Sequence, residues 1–574
     1  MLQAIVHFSL RFRGVVIALA CLLLAYGIYD IRTAPVEVFP DFVQPQVAVQ
    51  TECPGLSPEE VEILVTQPLE SAITGLGEME SLRSETIEGL SVITAVFKPG
   101  TDIFRARQML GEVVSEAASR LPAGVQTPRM TPLTSSTMDL LKIGLVSQKL
   151  SPMELRTFAD WTLKPRLLAV PGVAKCSTFG GEARQLQIQI DPERLLAHQL
   201  SVSDVLAAAR LSSAIIGAGF IENTNQRITI QASAPELTAE RLANLVVAAT
   251  NGFAVRLKDV ARVAAGAEPK FGDCLIQGQP GVLMTMSSQY GANTMTATRA
   301  LEAALDEMKP VLEREGIQLY PRLHRPATFI EVALRNIRHS LAYGAVLVAV
   351  TLFLMLGSIR TALISLTAIP LSLVTALLLL DRMGVGVNTI TLGGLAIALG
   401  EVVDDSIIDV ENIFRRLRES RAKGLRKIFA IVQNASLEVR GSVVYATFVV
   451  ALVFLPILTL TGLQGSFFRP LAISYILAIM ASLGVALTVT PALSLLLFQN
   501  KTGVIHESWL QRNLKAAYVR ALGIIARWPR ATILLVAVIC VAALFRLPFV
   551  GEEFLPDFRE GHYVLQVSMA PGTS

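Results

Sequence analysis

Seven apolar runs, each long enough to cross a bilayer as a helix, constrain this chain more than any other feature of its sequence. A helix needs about 20 mostly apolar residues to span the hydrocarbon core. With 52% hydrophobic and 17% charged residues among 574, the composition is typical of a polytopic membrane protein with a large extramembrane part. The runs are 15–31, 340–356, 362–380, 389–412, 442–460, 470–497 and 531–547.

The distribution of basic residues predicts the orientation of these spans, because Lys and Arg favour cytoplasmic loops. Arg11 and Arg13 precede the first span, and the loop 414–440 holds eight Lys and Arg against two Glu. We therefore expect a cytoplasmic N-terminus and a large external region between the first two spans. An apolar stripe in the basic segment 499–530 predicts an interfacial helix on the cytoplasmic leaflet.

The fourth span combines this length with five carboxylates. It reads GGLAIALGEVVDDSIIDVEN over residues 393–412, with acids at Glu401, Asp404, Asp405, Asp409 and Glu411. One carboxylate at the centre of a span costs about 2.5–3.5 kcal/mol, so such residues are rare and mark ion or proton pathways. Glu401, Asp405 and Asp409 follow i, i+4, i+8 spacing on one helix face. Asp404 and Glu411 lie on a neighbouring stripe.

The other spans offer these acids no counter-charge in the sequence. Their apolar interiors contain no Lys, and Arg360 and Arg469 lie at span ends. Protons, a transported cation or residues outside this chain are then expected to neutralise the cluster, which predicts proton-coupled transport. A structural role at the cytoplasmic edge is the alternative for Asp409 and Glu411. The neighbouring glycines are expected to permit close helix packing: Gly393, Gly394 and Gly400.

The external region alternates strand-like and helix-like stretches, which predicts small α+β subdomains. Among the expected elements are a helix over Ser57–Glu70 capped by Ser57, a strand at Leu90–Phe97 and a helix over Asp102–Arg120. The expected domains are 1–31 with the first span, a first porter subdomain at 32–134, a second at 135–180 and 273–338, an inserted docking subdomain at 181–272, spans two to six at 339–498, the interfacial segment 499–530, the seventh span at 531–548, and 549–574.

An internal repeat supports this division. EVFPDF at 37–42 follows the first span and EFLPDF at 553–558 follows the seventh, and each precedes a Pro-Gly-x-Ser turn. Parallel repeats are a transporter architecture. The sequence therefore predicts the first half of a larger transporter, with 549–574 opening a truncated second periplasmic repeat, and such a half-chain is expected to be inert alone.

Over essentially its whole length the chain resembles the resistance–nodulation–division (RND) superfamily of proton-driven exporters. The fourth span matches the G-x3-D-x6-E pattern through Gly400, Asp404 and Glu411, with a second aspartate at Asp405. The strings ECPGLSPEEVEILVTQPLESAITGL and RSETIEGLSVITAVF resemble the heavy-metal efflux branch in particular.

The resemblance implies a polytopic α-helical membrane protein with periplasmic, ferredoxin-like porter subdomains. It implies a homotrimer in the bacterial inner membrane, bound to a periplasmic adaptor protein and an outer-membrane channel. Asp404 and Asp405 would carry protons, Glu411 would act as a relay, and Glu401 and Asp409 would be auxiliary. No cofactor and no nucleic-acid partner are expected.

Several functions remain open at this point. An exporter of hydrophobic compounds or drugs within the same superfamily is the main alternative, and a sterol-sensing protein is another. An intramembrane aspartyl protease needs catalytic aspartates on two helices, whereas these acids share one. The metal ligands are unknown: Met284, Met286 and Met295 are expected to pack in a core, and the five scattered cysteines form no CxxC pair.

Overall fold

The computed structural model describes residues 2–33, 36–37, 44–212, 217–231, 238–250, 253–270, 272–422, 428–498, 509–549, 565 and 567. The chain divides into two units. The first comprises Met1–Met138, Gln289–Thr296 and Pro326–Ser574, and the second Asp139–Ser288 and Ala297–Arg325. Both predicted PDF motifs and the second Pro-Gly-x-Ser turn lie outside the described residues.

The first unit begins with two helices and an antiparallel sheet. Strand β2 pairs with β4 and β5, and β3 pairs with β4, giving the order β3-β4-β2-β5. Alternate residues of β2, from Val47 to Thr51, are buried beneath the helices of this layer. The elements are α1 Leu2–Arg11, α2 Arg13–Thr33, β1 Val36–Glu37, β2 Gln46–Glu52, α3 Pro58–Val61, α4 Gln67–Ile73, β3 Met79–Ile87, β4 Leu90–Phe97, α5 Ile103–Ala118 and β5 Arg129–Met130.

The second unit contains another four-stranded sheet, ordered β17-β6-β16-β7. Two-stranded pairs lie between β7 and β16 along the chain and enclose their own small core around Leu257 and Val260. The elements are β6 Thr134–Ser147, α6 Pro152–Phe158, α7 Lys164–Leu168, β7 Val173–Phe179, β8 Arg184–Ile190, α8 Pro192–Ala197, α9 Val202–Ser212, β9 Gly217–Glu222, β10 Arg227–Gln231, α10 Ala239–Ala243, β11 Val246–Thr250, β12 Phe253–Arg256, α11 Leu257–Val260, β13 Ala261–Ala267, β14 Leu275–Ile276, β15 Gln279–Pro280, β16 Val282–Gln289, α12 Thr294–Glu315 and β17 Ile317–His324.

The two units start their first sheet-covering helix in the same way. Ser57 and Ser151 are N-caps whose hydroxyls accept from the backbone three residues on, and Glu60 and Glu154 accept in return from the cap backbone. Each helix then widens into a π turn, at Glu62–Thr66 and Ala159–Leu163, just before a proline. A proline has no N–H for the helical ladder, so a π turn accommodates the missing hydrogen bond. The predicted Ser57 cap is confirmed.

The remaining helices of the first unit carry the apolar spans. They are α13 Ala327–Leu356, α14 Ile359–Arg382, α15 Thr389–Ala422, α16 Ile428–Phe454, α17 Gly462–Phe498, α18 Trp509–Arg527 and α19 Pro529–Arg546, with β18 Val387–Asn388 between α14 and α15. Among the described residues, six helices are long and apolar enough to cross a membrane: α2, α13, α14, α16, α17 and α19. Helix α15 has the length, but its charged residues exclude it from that count, so a seventh span stays a prediction.

Two helix starts differ from the sequence expectation. Helix α13 begins at Ala327 rather than at 340, and α16 begins at Ile428 rather than at 442. Hydropathy identifies only the apolar part of a helix. Both helices begin with more polar, amphipathic turns before their apolar runs. The described parts of the predicted basic loop, 414–422 and 428–440, are therefore helical. Arg440 lies inside helix α16 rather than in a loop.

Candidate functional site

The five carboxylates of the fourth span divide between two faces of α15. This helix packs against α14, α16 and α17. Asp405 and Asp409 face that packing and are 8% and 1% exposed, whereas Asp404 and Glu411 are exposed and Glu401 is intermediate. The predicted i, i+4, i+8 face thus has two of its three acids, Asp405 and Asp409, in the interface with the neighbouring helices. Asp404 and Glu411, on the neighbouring stripe, lie outside this interface.

Asp409 forms a buried ion pair. Its Oδ2 lies 2.5 Å from Nη2 of Arg440 on α16, and both side chains are 1% exposed. Ser436, one turn before Arg440, donates its hydroxyl to Asp409 Oδ1 at 3.2 Å. Arg440 Nη2 also donates to the carbonyl of Ala486 on α17. One guanidinium therefore joins three helices.

The expectation that the other spans supply no counter-charge is wrong, because Arg440 supplies one. The sequence reasoning assigned Arg440 to a cytoplasmic loop, since the apolar run of α16 starts only after it. A usable signal was present: a buried carboxylate needs a compensating charge, and Arg440 stands directly before that run. A guanidinium suits a buried pair with a carboxylate, because its planar donors match the carboxylate oxygens.

Asp405 lies one helical turn before Asp409 and has no such partner. Ser482 of α17 faces the Asp405 carboxyl, yet neither Asp405 Oδ2 nor Ser482 Oγ has a hydrogen-bond partner of normal geometry among the described residues. Tyr475, also on α17, is within electrostatic range of Asp405 and Glu401. A buried carboxyl oxygen without a donor is costly when charged and is better accommodated when it carries a proton.

Close packing of α15 on α17 depends on one of the three predicted glycines. A Cβ added at Gly394 would overlap Ser474 Oγ and lie 2.6 Å from the backbone oxygen of Leu471. At Gly393 and Gly400 no atom of the described residues lies within 4 Å of an added Cβ. The packing interpretation is therefore confirmed for Gly394, and for Gly393 and Gly400 it stays a prediction.

Polar contacts continue along α15 beyond the ion pair. Asn412 donates to the Ala435 carbonyl at 2.7 Å, and Arg416 Nε donates to Glu438 of α16 at 2.9 Å. Glu411 accepts from Gln511 of α18 at 3.4 Å. The last of these contacts links Glu411, the predicted relay residue, to the helix that the sequence predicts on the cytoplasmic leaflet.

The α+β parts of the chain provide no evident ligand cluster among the residues that the structure describes. No group of three His, Cys, Asp or Glu residues there is arranged to hold a metal ion. Met284 and Met286 are fully buried and Met295 is 9% exposed, so these methionines are core residues, as expected. Burial raises the pKa of the Cys176 thiol to about 11, which keeps it protonated and unsuited to metal binding at neutral pH.

The apolar helices, the α+β sheets that precede them along the chain and the acid-bearing helix define a membrane protein of the transporter class. Comparison with known proteins agrees with this. The chain belongs to the AcrB/AcrD/AcrF family of RND transporters, whose sequence profile matches residues 5–574.

Its relatives include proteins whose names describe cation efflux or metal resistance. It is 33% identical over 586 residues to protein HelA of Legionella pneumophila, 30% identical over 602 residues to the cobalt-zinc-cadmium resistance protein CzcA of Cupriavidus metallidurans, and 30% identical over 587 residues to the cation efflux system protein CusA of Escherichia coli K12. Each match covers 100% of this chain and 55–56% of the relative. The chain thus spans about half the length of these relatives.

The fold also matches a solved structure. A crystal structure of a heavy metal efflux pump aligns with a TM-score of 0.79 at 26% sequence identity. The alignment covers 97% of this chain and 52% of that one.

Proposed function

We propose that this chain forms part of a proton-driven exporter of heavy-metal cations, coupled through the carboxylates of α15. The observation that carries the proposal is the buried Asp405 carboxyl, whose Oδ2 has no partner among the described residues while Arg440 is paired with Asp409. A carboxyl in this setting can bind a proton in one state of the pump and release it in another. One charge moved through the membrane potential provides about 2.3 kcal/mol per 100 mV.

The carboxylates take different roles in this proposal. Asp404 and Asp405 carry protons: Asp405 is buried against α17, and Asp404 lies exposed on the flank of α15. Glu411, exposed near the contact with α18, relays protons to the cytoplasmic side. Glu401 is auxiliary, since it lies one turn before Asp405 and within its electrostatic range.

The substrate class rests on the relatives, whose names describe cation efflux and metal resistance. The complete protein would work in the bacterial inner membrane as a homotrimer with a periplasmic adaptor and an outer-membrane channel. Its N-terminus would be cytoplasmic and residues 32–338 would lie in the periplasm. An exporter of hydrophobic compounds is the other outcome that the following tests distinguish.

The coupling is tested with the complete gene product in proteoliposomes. Proton release driven by a metal gradient is followed with an internal pH dye. Asp404→Asn and Asp405→Asn are each expected to abolish coupled proton movement while still inserting into the membrane. Asp381→Asn is the matched control, because Asp381 is an exposed carboxylate at the end of α14. Wild-type export by Asp404→Asn would refute the proton-carrying role.

The substrate is tested by tolerance of a sensitive bacterium that expresses the complete protein with its partners. The panel consists of zinc, cobalt, cadmium, nickel, copper and silver salts, together with detergents and dyes. Protection against one or more metals is expected. Protection against dyes or detergents without any metal would favour the exporter of hydrophobic compounds.

A further inference from the structure

The Asp409–Arg440 pair is the strongest electrostatic feature that the proposed proton pathway does not itself require. Both side chains are 1% exposed, and their contacts join α15, α16 and α17. Breaking such a pair by removing one partner is costly, whereas an apolar replacement of both is often tolerated. A contribution to stability therefore explains this buried pair poorly, which suggests a functional role for it.

The position of Arg440 supplies that role. Asp405 and Asp409 are one turn apart on α15, a separation of about 6 Å along the axis. Arg440 is within electrostatic range of Asp405. Its Nη2 serves both Asp409 and the Ala486 carbonyl, while Nε and Nη1 have no partner among the described residues. The planar guanidinium thus has donors left for a second carboxylate.

The helices around Asp405 contain no competing basic group at this depth. Tracts 340–356 of α13, 361–380 of α14, 441–454 of α16 and 470–498 of α17 contain no Lys, Arg, Asp, Glu or His. Among the described residues, the titratable or charged groups near Asp405 are Glu401, Asp404 and Asp409 on its own helix, Arg440 on α16 and Tyr475 on α17. Arg440 is the one cation in this described set.

We propose that Arg440 is a positioning residue for proton coupling: it stabilises the deprotonated form of Asp405, and Asp409 limits that stabilisation by binding the same guanidinium. The inference rests on the proposed function of Asp405. It separates the two buried aspartates by role, because Asp405 exchanges protons whereas Asp409 stays ionised as the fixed partner of Arg440. When Asp405 loses its proton, the guanidinium shares its charge between both carboxylates.

The test compares the pH at which metal-coupled proton movement is half-maximal, using the complete protein in proteoliposomes and the metal cation selected by the tolerance panel. Arg440→Gln is expected to move this midpoint to higher pH by about one to two units, because an opposite charge within about 6 Å favours a carboxylate by that amount. Asp409→Asn is expected to move it to lower pH, because Arg440 is then free to bind Asp405. Arg440→Lys keeps the charge and leaves the midpoint near that of wild type.

Two further variants complete the experiment: a double variant that removes both charges, and a control at a different arginine. Asp409→Asn with Arg440→Gln leaves no unpaired charge, so it folds even where the single variants do not, and its midpoint is again above that of wild type. Arg416→Gln is the control, because it removes an arginine from a more exposed pair with Glu438. It leaves the midpoint unchanged.

The outcomes separate the two proposals. If wild type moves no protons with the metal, or if Asp405→Asn transports normally, the proposed function fails. If these behave as proposed but the double variant and the folded single variants keep the wild-type midpoint, the role of Arg440 is refuted. Midpoints that shift in opposite directions for Arg440→Gln and Asp409→Asn would establish it, since a purely structural defect lowers rates without this sign reversal.

Discussion

Replacing Gly394 with alanine is expected to loosen the packing of α15 on α17. The added Cβ would lie 2.6 Å from the backbone oxygen of Leu471 and would overlap Ser474 Oγ. A serine side chain can rotate away, but a backbone oxygen inside a helix cannot move without shifting the helix. Overpacking of this kind lowers the free energy of unfolding by about 1–3 kcal/mol. The helix propensity gained on replacing glycine offsets up to about 1 kcal/mol of that loss.

The matched control is on the same helix. Gly400→Ala places its Cβ where no atom of the described residues lies within 4 Å, so only the propensity gain of about 0.5–1 kcal/mol remains. Thermal unfolding of both variants in detergent should therefore move in opposite directions. Because Leu471 supplies a backbone atom, adding Ser474→Ala should restore little of the loss in Gly394→Ala. Equal melting temperatures for Gly394→Ala and Gly400→Ala would show that the close approach of these helices is incorrect.

Three further predictions concern charged and thiol groups. Asp409→Leu or Arg440→Met alone should each lower the free energy of unfolding by about 3–5 kcal/mol, because each leaves one buried charge without its partner. The double variant should have a melting temperature near that of wild type. Additive losses of stability in the two single variants and the double variant would contradict the buried pair. Because burial raises the pKa of Cys176 to about 11, maleimide should label it at pH 7 only after denaturation, and rapid labelling of the folded protein would contradict its burial. Hydrogen bonds from Ser151 lower the pKa of Glu154 below 4.5, so its stabilising effect should be complete above pH 4.5 and lost as pH falls through the lower folded value. Glu154→Gln should remove that part of the pH dependence of unfolding, and an unchanged profile would argue against the capping box.

The sequence predicted those elements that local pattern determines. The strand at Leu90–Phe97 has the bounds expected, because a β-branched run between turns is unambiguous. The predicted helix at 102–120 is α5, Ile103–Ala118, with Asp102 as its N-cap. The separation of Asp405 and Asp409 from Asp404 and Glu411 also follows from the 3.6-residue period.

Local sequence pattern does not predict which residues the acids and glycines of α15 contact. Helical periodicity gives the face on which Asp409 lies, but not which helix covers that face or in what register. Arg440 was missed because hydropathy places the start of a span at its apolar part, although the helix begins at Ile428. Gly393 and Gly394 are adjacent glycines, yet among the described residues only Gly394 approaches the backbone of another helix. Such differences depend on the distance between helix axes, which a single sequence does not encode locally.

The buried guanidinium also constrains how the polypeptide enters the lipid during synthesis. Asp409 and Arg440 would each cost about 2.5–3.5 kcal/mol if threaded alone into hydrocarbon, and α15 leaves the ribosome before α16. Insertion of α15 and α16 together, as a hairpin, neutralises both charges before either meets the acyl chains. Translocation machinery handling this protein would then have to retain α15 until its basic neighbour arrives.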